Sequence, residues 1–259
     1  KVLRILLFVG ILPLIIISVV SLFTVINNRL KNISELQAQV ISTAEEKVNR
    51  YLDQKIGVFN LVVDLNPDNL SEINTDTLRF LANGLKEAAE DINEISFVDK
   101  YGKEIVKVSD VQGSESPILS NISSAPSFKT AIKGESYFGP VYYTLAGPII
   151  HMASQIENKD RKTIGIILAE INLSLLESEI GQTKLGKQGF IYLLDSGGNL
   201  MISSDKSFAM PGENLSHISL VQDVINGKAH NGLDSKDRYK NSLQQNVIFS
   251  GNTIGAIGW

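Results

Sequence analysis

Two stretches decide the fold: ISFVDKYGKEIVKV from Ile95 to Val108, and FIYLLDSGGNLMIS from Phe190 to Ser203. Each is an apolar strand, a turn of the form Asp-x-x-Gly, and a second strand, with Asp99 and Gly102 in the first copy and Asp195 and Gly198 in the second. The two aspartates lie 96 positions apart (195 − 99). Downstream, Ala131-Ile132-Lys133-Gly134 and Val224-Ile225-Asn226-Gly227 close two short helix-like segments 93 positions apart (227 − 134). Asp and Gly are ordinary hairpin residues, so one match alone carries little. Two landmarks in the same order at nearly one spacing predict a duplicated α/β module, with hairpin turns centred on Tyr101-Gly102 and Gly197-Gly198.

A chain of 259 residues has room for an anchor and two modules, each large enough to bury a core. The net charge of −4 argues against a nucleic-acid partner, which needs a basic face to neutralise phosphates. Cysteine is absent, which removes disulfides, thiolate catalysis and cysteine zinc sites, and is compatible with an oxidising exterior. Ile5 to Ile26 is a run of 22 residues without a charge, roughly 33 Å as a helix and matched to a bilayer. With no small-residue cleavage site before Asn27-Asn28-Arg29, it reads as an uncleaved membrane anchor, and Pro13 is tolerated there. Lys1 and Arg4 are balanced by Arg29 and Lys31, so charge gives no orientation. The end at Trp259, an aromatic of the membrane-interface kind, is expected just before a second span.

From Asn27 to Leu65, apolar residues at helical spacing predict one continuous helix of roughly 58 Å. Its stripe is interrupted at Gln37, Lys47 and Lys55, and Pro67 ends it. A second amphipathic helix is expected from Thr75 to about Ile92. Strands follow at Ile95–Val98, Glu104–Val108, around Tyr137–Tyr143, at Ile149–Ser154 and at Thr163–Glu170, with a long loop over Ser109–Ser127. Ile171–Ile180 reads as a linking helix, Gly186–Trp259 as a smaller second sheet, and His230–Asn246 as a polar hairpin. The fold class is α+β, with two antiparallel-sheet modules behind a transmembrane helix and a long stalk helix.

This arrangement resembles the double Cache sensor domain of bacterial chemoreceptors, sensor histidine kinases and nucleotide cyclases. The stretches that carry the resemblance are Tyr137-Phe138-Gly139-Pro140-Val141-Tyr142 with Gly147-Pro148-Ile149-Ile150-His151-Met152-Ala153, then Ile164 to Leu173, then Lys184 to Asp195, and the terminal Gly-x-x-Gly-Trp. The resemblance implies an anchor at 1–27, a stalk helix at 28–66, a membrane-distal module with its linking helix at 67–180, and a membrane-proximal module at 181–259. It implies two PAS-like sheets on a shared long helix, an extracytoplasmic sensor in a bacterial inner membrane and a small-molecule ligand in the distal module. No cofactor is expected, and the apolar Leu30, Ile33 and Leu36 of the lower helix are expected to pair two copies as a homodimer. A membrane-anchored adhesion or structural protein is the alternative.

The residues offer little to catalysis. Gly181 to Lys187 is spaced like a phosphate loop, but Gln188 stands where a Ser or Thr must reach Mg²⁺, and a helix precedes it where a strand should. His151, His217 and His230 have no partners at ligand spacing, and the turn at Asp195 lacks the further carboxylates of a calcium loop, so no catalytic or metal site is expected. Small-molecule binding fits the aromatic cluster Tyr137, Phe138, Tyr142 and Tyr143, of which at least one of the adjacent Tyr142 and Tyr143 must face the core. Glu170 closes the strand TIGIILAE, either as a pocket carboxylate or as an exposed strand end, and His151 faces either pocket or core. The resemblance places Glu170 where amino-acid-sensing relatives carry an aspartate for the ligand's ammonium group. It places Ser127-Phe128-Lys129 on a short helix where those relatives offer Arg and Trp. Neither is present, a departure that counts against amino-acid recognition and leaves Phe128 and Lys129 as the ligand-binding candidates on that helix, Lys129 as a point charge for an anion. The expected ligand is a small carboxylate or amine.

Overall fold

The computed structural model describes residues 2–60, 70–109, 118–183, 189–204, 212–228, 230–231, 238–240, 246–248 and 250–251. Helix α1 runs unbroken from Val2 to Asn60 through Pro13. From Ile11 to Ile26 its large apolar side chains are exposed, and it is long and apolar enough to cross a membrane. The expected continuation to Leu65, the stop at Pro67, much of the Ser109–Ser127 loop, the Lys184–Gln188 segment and the terminal Trp259 lie outside the described residues.

The chain divides into two compact units, residues 1–43 with 218–253, and residues 44–217 with 254–259. The second holds a six-stranded antiparallel sheet. Its strands are β1 (Ile92–Asp99), β2 (Glu104–Ser109), β3 (Tyr137–Phe138), β4 (Tyr142–Thr144), β5 (Gly147–Glu157) and β6 (Thr163–Asn172). The order is β2-β1-β6-β5-β3, with β4 also paired to β5. The expected single strand at Tyr137–Tyr143 is thus two, split at Gly139-Pro140, because proline cannot donate to a ladder. The linking helix begins only at Ser174, since β6 continues to Asn172 against β5. Helix α2 (Thr75–Ala88), started by an Asn74 side chain that accepts from the Asp76 N–H, stops before Ile92, which belongs to β1.

One face of the sheet is core. Ile95, Phe97, Val106, Ile150, Met152, Ile167, Ala169 and Ile171 pack with Val48, Tyr51, Leu52 and Phe59 of α1 and Leu78, Ala82 and Leu85 of α2. The polar residues that interrupt the α1 stripe have buried or capping roles. Lys55 and Asp91 form an ion pair with side chains 9% and 10% exposed. The Tyr51 hydroxyl donates to the same carboxylate, and burial followed by the Asp91 charge pushes its phenol far above the usual range. Lys47 donates to the Glu179 carbonyl and the Thr183 hydroxyl, both at 2.8 Å, where a cation meets the C-terminal end of helix α4 (Ser174–Gly181). In the first unit, Gln37 is buried and accepts from the Ser250 hydroxyl at 2.9 Å.

The repeat read from the sequence recurs bond for bond. Asp99 Oδ1 accepts from the N–H groups of Tyr101 and Lys103, and Gly102 N–H donates to the Asp99 carbonyl. Asp195 Oδ1 accepts likewise from Gly197 and Asn199, and Gly198 N–H donates to the Asp195 carbonyl. The central pairs are therefore Lys100-Tyr101 and Ser196-Gly197, one residue earlier than expected, with Gly102 and Gly198 following at φ +86° and +81°, a region open to glycine. A returning segment bridges each turn, Lys103 with Asn121 and Asn199 with Asn214. Each copy then has a short helix, α3 (Pro126–Ala131) and α5 (Ser219–Ile225), each followed by a positive-φ glycine, Gly134 and Gly227. The second hairpin, β7 (Tyr192–Leu194) and β8 (Leu200–Ser203), adds Leu193, Met201 and Ile202 to the core of the second unit.

Candidate functional site

The other face of the sheet changes character along its strands. At one end α3 covers it: Phe128 and Ala131 pack on Val98, Ala153 and Ile166, with Tyr137 and Leu168 beside them. At the other end, strand register lines up His151 of β5, Glu170 of β6 and Glu94 of β1 in one row. In the next row toward α3, Ala153, Leu168, Ser96 and Lys107 stand across β5, β6, β1 and β2. Half-buried Leu168 and buried Ala153 thus border the charged row, and a junction of apolar and charged side chains is what small-ligand sites use.

Glu170 is the hub of that row. Its Oε2 accepts from the Tyr142 hydroxyl at 2.6 Å, and its Oε1 from the Asn93 side-chain amide at 3.1 Å. His151 Nε2 lies 4.0 Å from Oε2 and 3.4 Å from the Tyr142 hydroxyl, and the Tyr142 and His151 rings stand 5.2 Å apart, tilted by 37°. Burial, then the hydrogen bond to Glu170 and the charges of Glu170 and Glu94, push the Tyr142 phenol well above its usual range, so it remains a donor. Glu170 is 26% and His151 49% exposed, so both reach solvent. Glu94 holds Lys107 Nζ at 2.7 Å, and the buried Glu104 is 3.8 Å away on the other side. Burial lowers the Lys107 pKa, but the bond to Glu94 and the charges of Glu94, Glu104 and Glu170 outweigh it, so the net shift is upward and the ammonium stays charged.

Of the eight residues singled out in the sequence, Tyr142, His151 and Glu170 come together. Phe128 and Tyr137 line the α3-covered end of the same face. Phe138 packs against the opposite, core face. Tyr143 also points elsewhere: its hydroxyl lies 2.6 Å from the Leu200 carbonyl and 2.5 Å from that of Met201. Burial, with Glu177 and Asp195 adding, pushes its phenol up to about 12 against an opposing backbone hydrogen bond from Gly212. Lys129 is exposed on α3. Sequence reading missed Asn93, Glu94, Ser96 and Lys107. A signal existed in INEISFVD, where polar Glu94 and Ser96 alternate with apolar Ile95 and Phe97.

A family model described as Cache domain matches residues 25–259. No curated protein matches the chain. The ligand-binding domain of the Campylobacter jejuni chemoreceptor Tlp3, solved in complex with L-valine, is similar at a TM-score of 0.59 and 15% identity, over 77% of this chain and 81% of that one. The ligand-binding domain of the Pseudomonas aeruginosa amino acid chemoreceptor PctC, solved in complex with GABA, aligns at 0.56 and 9% identity over 71% and 80%. A domain of a sensory box/GGDEF family protein from Vibrio parahaemolyticus aligns at 0.56 and 17% identity over 77% and 86%. At these identities the likeness is one of fold.

Proposed function

Because this chain belongs to the Cache-domain family, whose members are extracytoplasmic sensory domains and not catalysts, we propose that it is the sensing region of a receptor in a bacterial inner membrane. A small molecule bearing a protonated amine binds the open face of the six-stranded sheet. The observation that carries this reading is Glu170, a solvent-reaching carboxylate held by Tyr142 and Asn93 beside a second carboxylate, Glu94, in the neighbouring strand. Among the described residues, Glu170, Glu94 and Glu104 share the ammonium of Lys107, so a cationic ligand relieves the like-charge repulsion of the row. The Tyr142 ring adds a π face for the cation, and half-buried Leu168, one row along the sheet, offers contact to an apolar stem. The structural neighbours solved with L-valine and GABA hold molecules that carry such an amine.

In this reading residues 67–180 form the membrane-distal module, and α1, continuous from the apolar Ile11–Ile26 segment to Phe59, carries the response toward the bilayer. Two copies pair along α1 near the membrane, where Ile33 and Leu36 are apolar and exposed at 41% and 45%. A thermal-shift screen of amines, amino acids and small carboxylates tests the site. Amine-bearing compounds should stabilise the protein, and Tyr142→Ala and Glu170→Ala should each abolish that shift. A shift that survives both substitutions places the ligand elsewhere.

A further inference from the structure

Asn93 reaches Glu170 because β1 carries an extra residue there. Ile92 pairs with Ile171 and Glu94 with Glu170, so two steps along β1 match one along β6, and Asn93 is the residue left over. The bulge inverts the alternation of β1: Ile92 faces the core and Glu94 the charged row. Bulges re-aim side chains beside functional sites, and here the re-aimed group is the Asn93 amide.

Both flanks of the bulge are tied to elements behind the sheet. The Asn93 carbonyl accepts from Lys86 of α2 at 3.1 Å. Two residues earlier, Asp91 takes the Lys55 ammonium and the Tyr51 hydroxyl of α1. The Asp91 carbonyl accepts from the Asn172 N–H at 2.8 Å, and the Asn172 carbonyl lies 3.3 Å from the same Tyr51 hydroxyl. Asp91 and Asn172 thus stand two residues from Asn93 and Glu170 respectively, and both end on one turn of α1.

We propose that Asn93 is a positioning residue that couples the state of Glu170 to α1 through this bulge. A ligand ammonium on Glu170 competes for the acceptor lone pairs that Asn93 uses. The amide then follows the carboxylate or releases it, and either response shifts the backbone between Asp91 and Glu94, where α1 is held. A ligand biases such an equilibrium only by binding its two arrangements unequally, and a hydrogen bond present in one and absent in the other supplies that difference. The coupling rests on the reading of Glu170 as the ligand's anchor.

Hydrogen exchange of the full chain in membrane nanodiscs tests the coupling without any ligand, by a double-mutant cycle over Glu170→Ala and Asn93→Ala. With Asn93 present, Glu170→Ala should change protection of the amides at residues 48–59 by about fivefold or more, the lower end of ordinary coupling between sites. With Asn93→Ala the same change should fall below roughly twofold, and Asn93→Ser repeats the arm if the alanine variant does not fold. Strands β7 and β8 should keep their protection throughout. An equal effect with and without Asn93, or a loss of protection spread over the whole unit, overturns the coupling. Because the cycle contains no ligand, its failure leaves the sensing reading standing, and a failed ligand screen leaves the coupling measured.

Discussion

Asp91→Ala is expected to be among the most damaging single substitutions outside the apolar core. It strands the Lys55 ammonium, 9% exposed, without the Asp91 carboxylate it pairs with. Removing one partner of a buried pair costs about 3–5 kcal/mol, because the remaining charge keeps its desolvation penalty without compensation. Tyr51 also loses its charged acceptor, but the Asn172 carbonyl at 3.3 Å remains for its proton, so that loss adds only about 1 kcal/mol. The expected total of about 4–6 kcal/mol is a large part of the 5–15 kcal/mol of a typical domain. Lys55→Met in the same background removes the stranded charge and keeps a long apolar stem. The double variant should therefore recover roughly 2–3 kcal/mol relative to the sum of the single changes. Urea unfolding followed by far-ultraviolet circular dichroism at equal m-values reads these differences. Strictly additive single effects, or a cost below about 1 kcal/mol for Asp91→Ala, would refute the claim that this pair pins α1 to the sheet.

Further expectations follow from close contacts and titration. A Cβ at Gly165 would stand 2.1 Å from Leu70 Cδ1 and 2.3 Å from the Val98 carbonyl oxygen. Gly165→Ala should thus destabilise by about 1–3 kcal/mol or more, read in the same unfolding assay, because the backbone on one side cannot give way. Tyr143 keeps its proton in the folded state to about pH 12, whereas an ordinary tyrosine titrates at 10.0. Its folded pKa is raised, so its stabilising contribution is complete below pH 10 and is lost as pH climbs toward 12. Tyr143→Phe should flatten that alkaline limb of a stability-against-pH curve. Cysteines placed singly at Leu30, Ile33 and Leu36 should crosslink between chains in membranes with helical periodicity, and uniformly low crosslinking would count against the homodimer.

Local patterns in the sequence were sufficient for the hairpins, because an Asp whose side chain caps its own turn and a glycine at positive φ leave a signature within five residues. Tyr142 and Glu170 were legible for a similar reason, as a phenol in an aromatic strand and a carboxylate ending an apolar one. Asn93, Glu94 and Lys107 were not, because their place depends on β6 pairing with β1 and on the register across β2-β1-β6-β5, which no local pattern encodes. The bulge itself left a trace: buried Ile92 and Ile95 are three apart where a regular strand would set them two or four apart. The interruptions at Lys47 and Lys55 looked like breaks in an apolar stripe, since their partners, Glu179, Thr183 and Asp91, come from distant parts of the chain.

If a small amine-bearing molecule docks at Glu170, Tyr142 and His151 as proposed, the chain's three histidines allow a direct measurement of it. With imidazole carbons labelled, His151 is one of three side-chain resonances, and it lies within 4.0 Å of the Glu170 carboxylate. Titration with a compound that stabilises the protein should move the His151 signal in proportion to occupancy and leave His217 and His230 in place, and Glu170→Gln should abolish the movement. A compound that stabilises the protein while His151 stays still, or while His217 moves instead, would contradict the account.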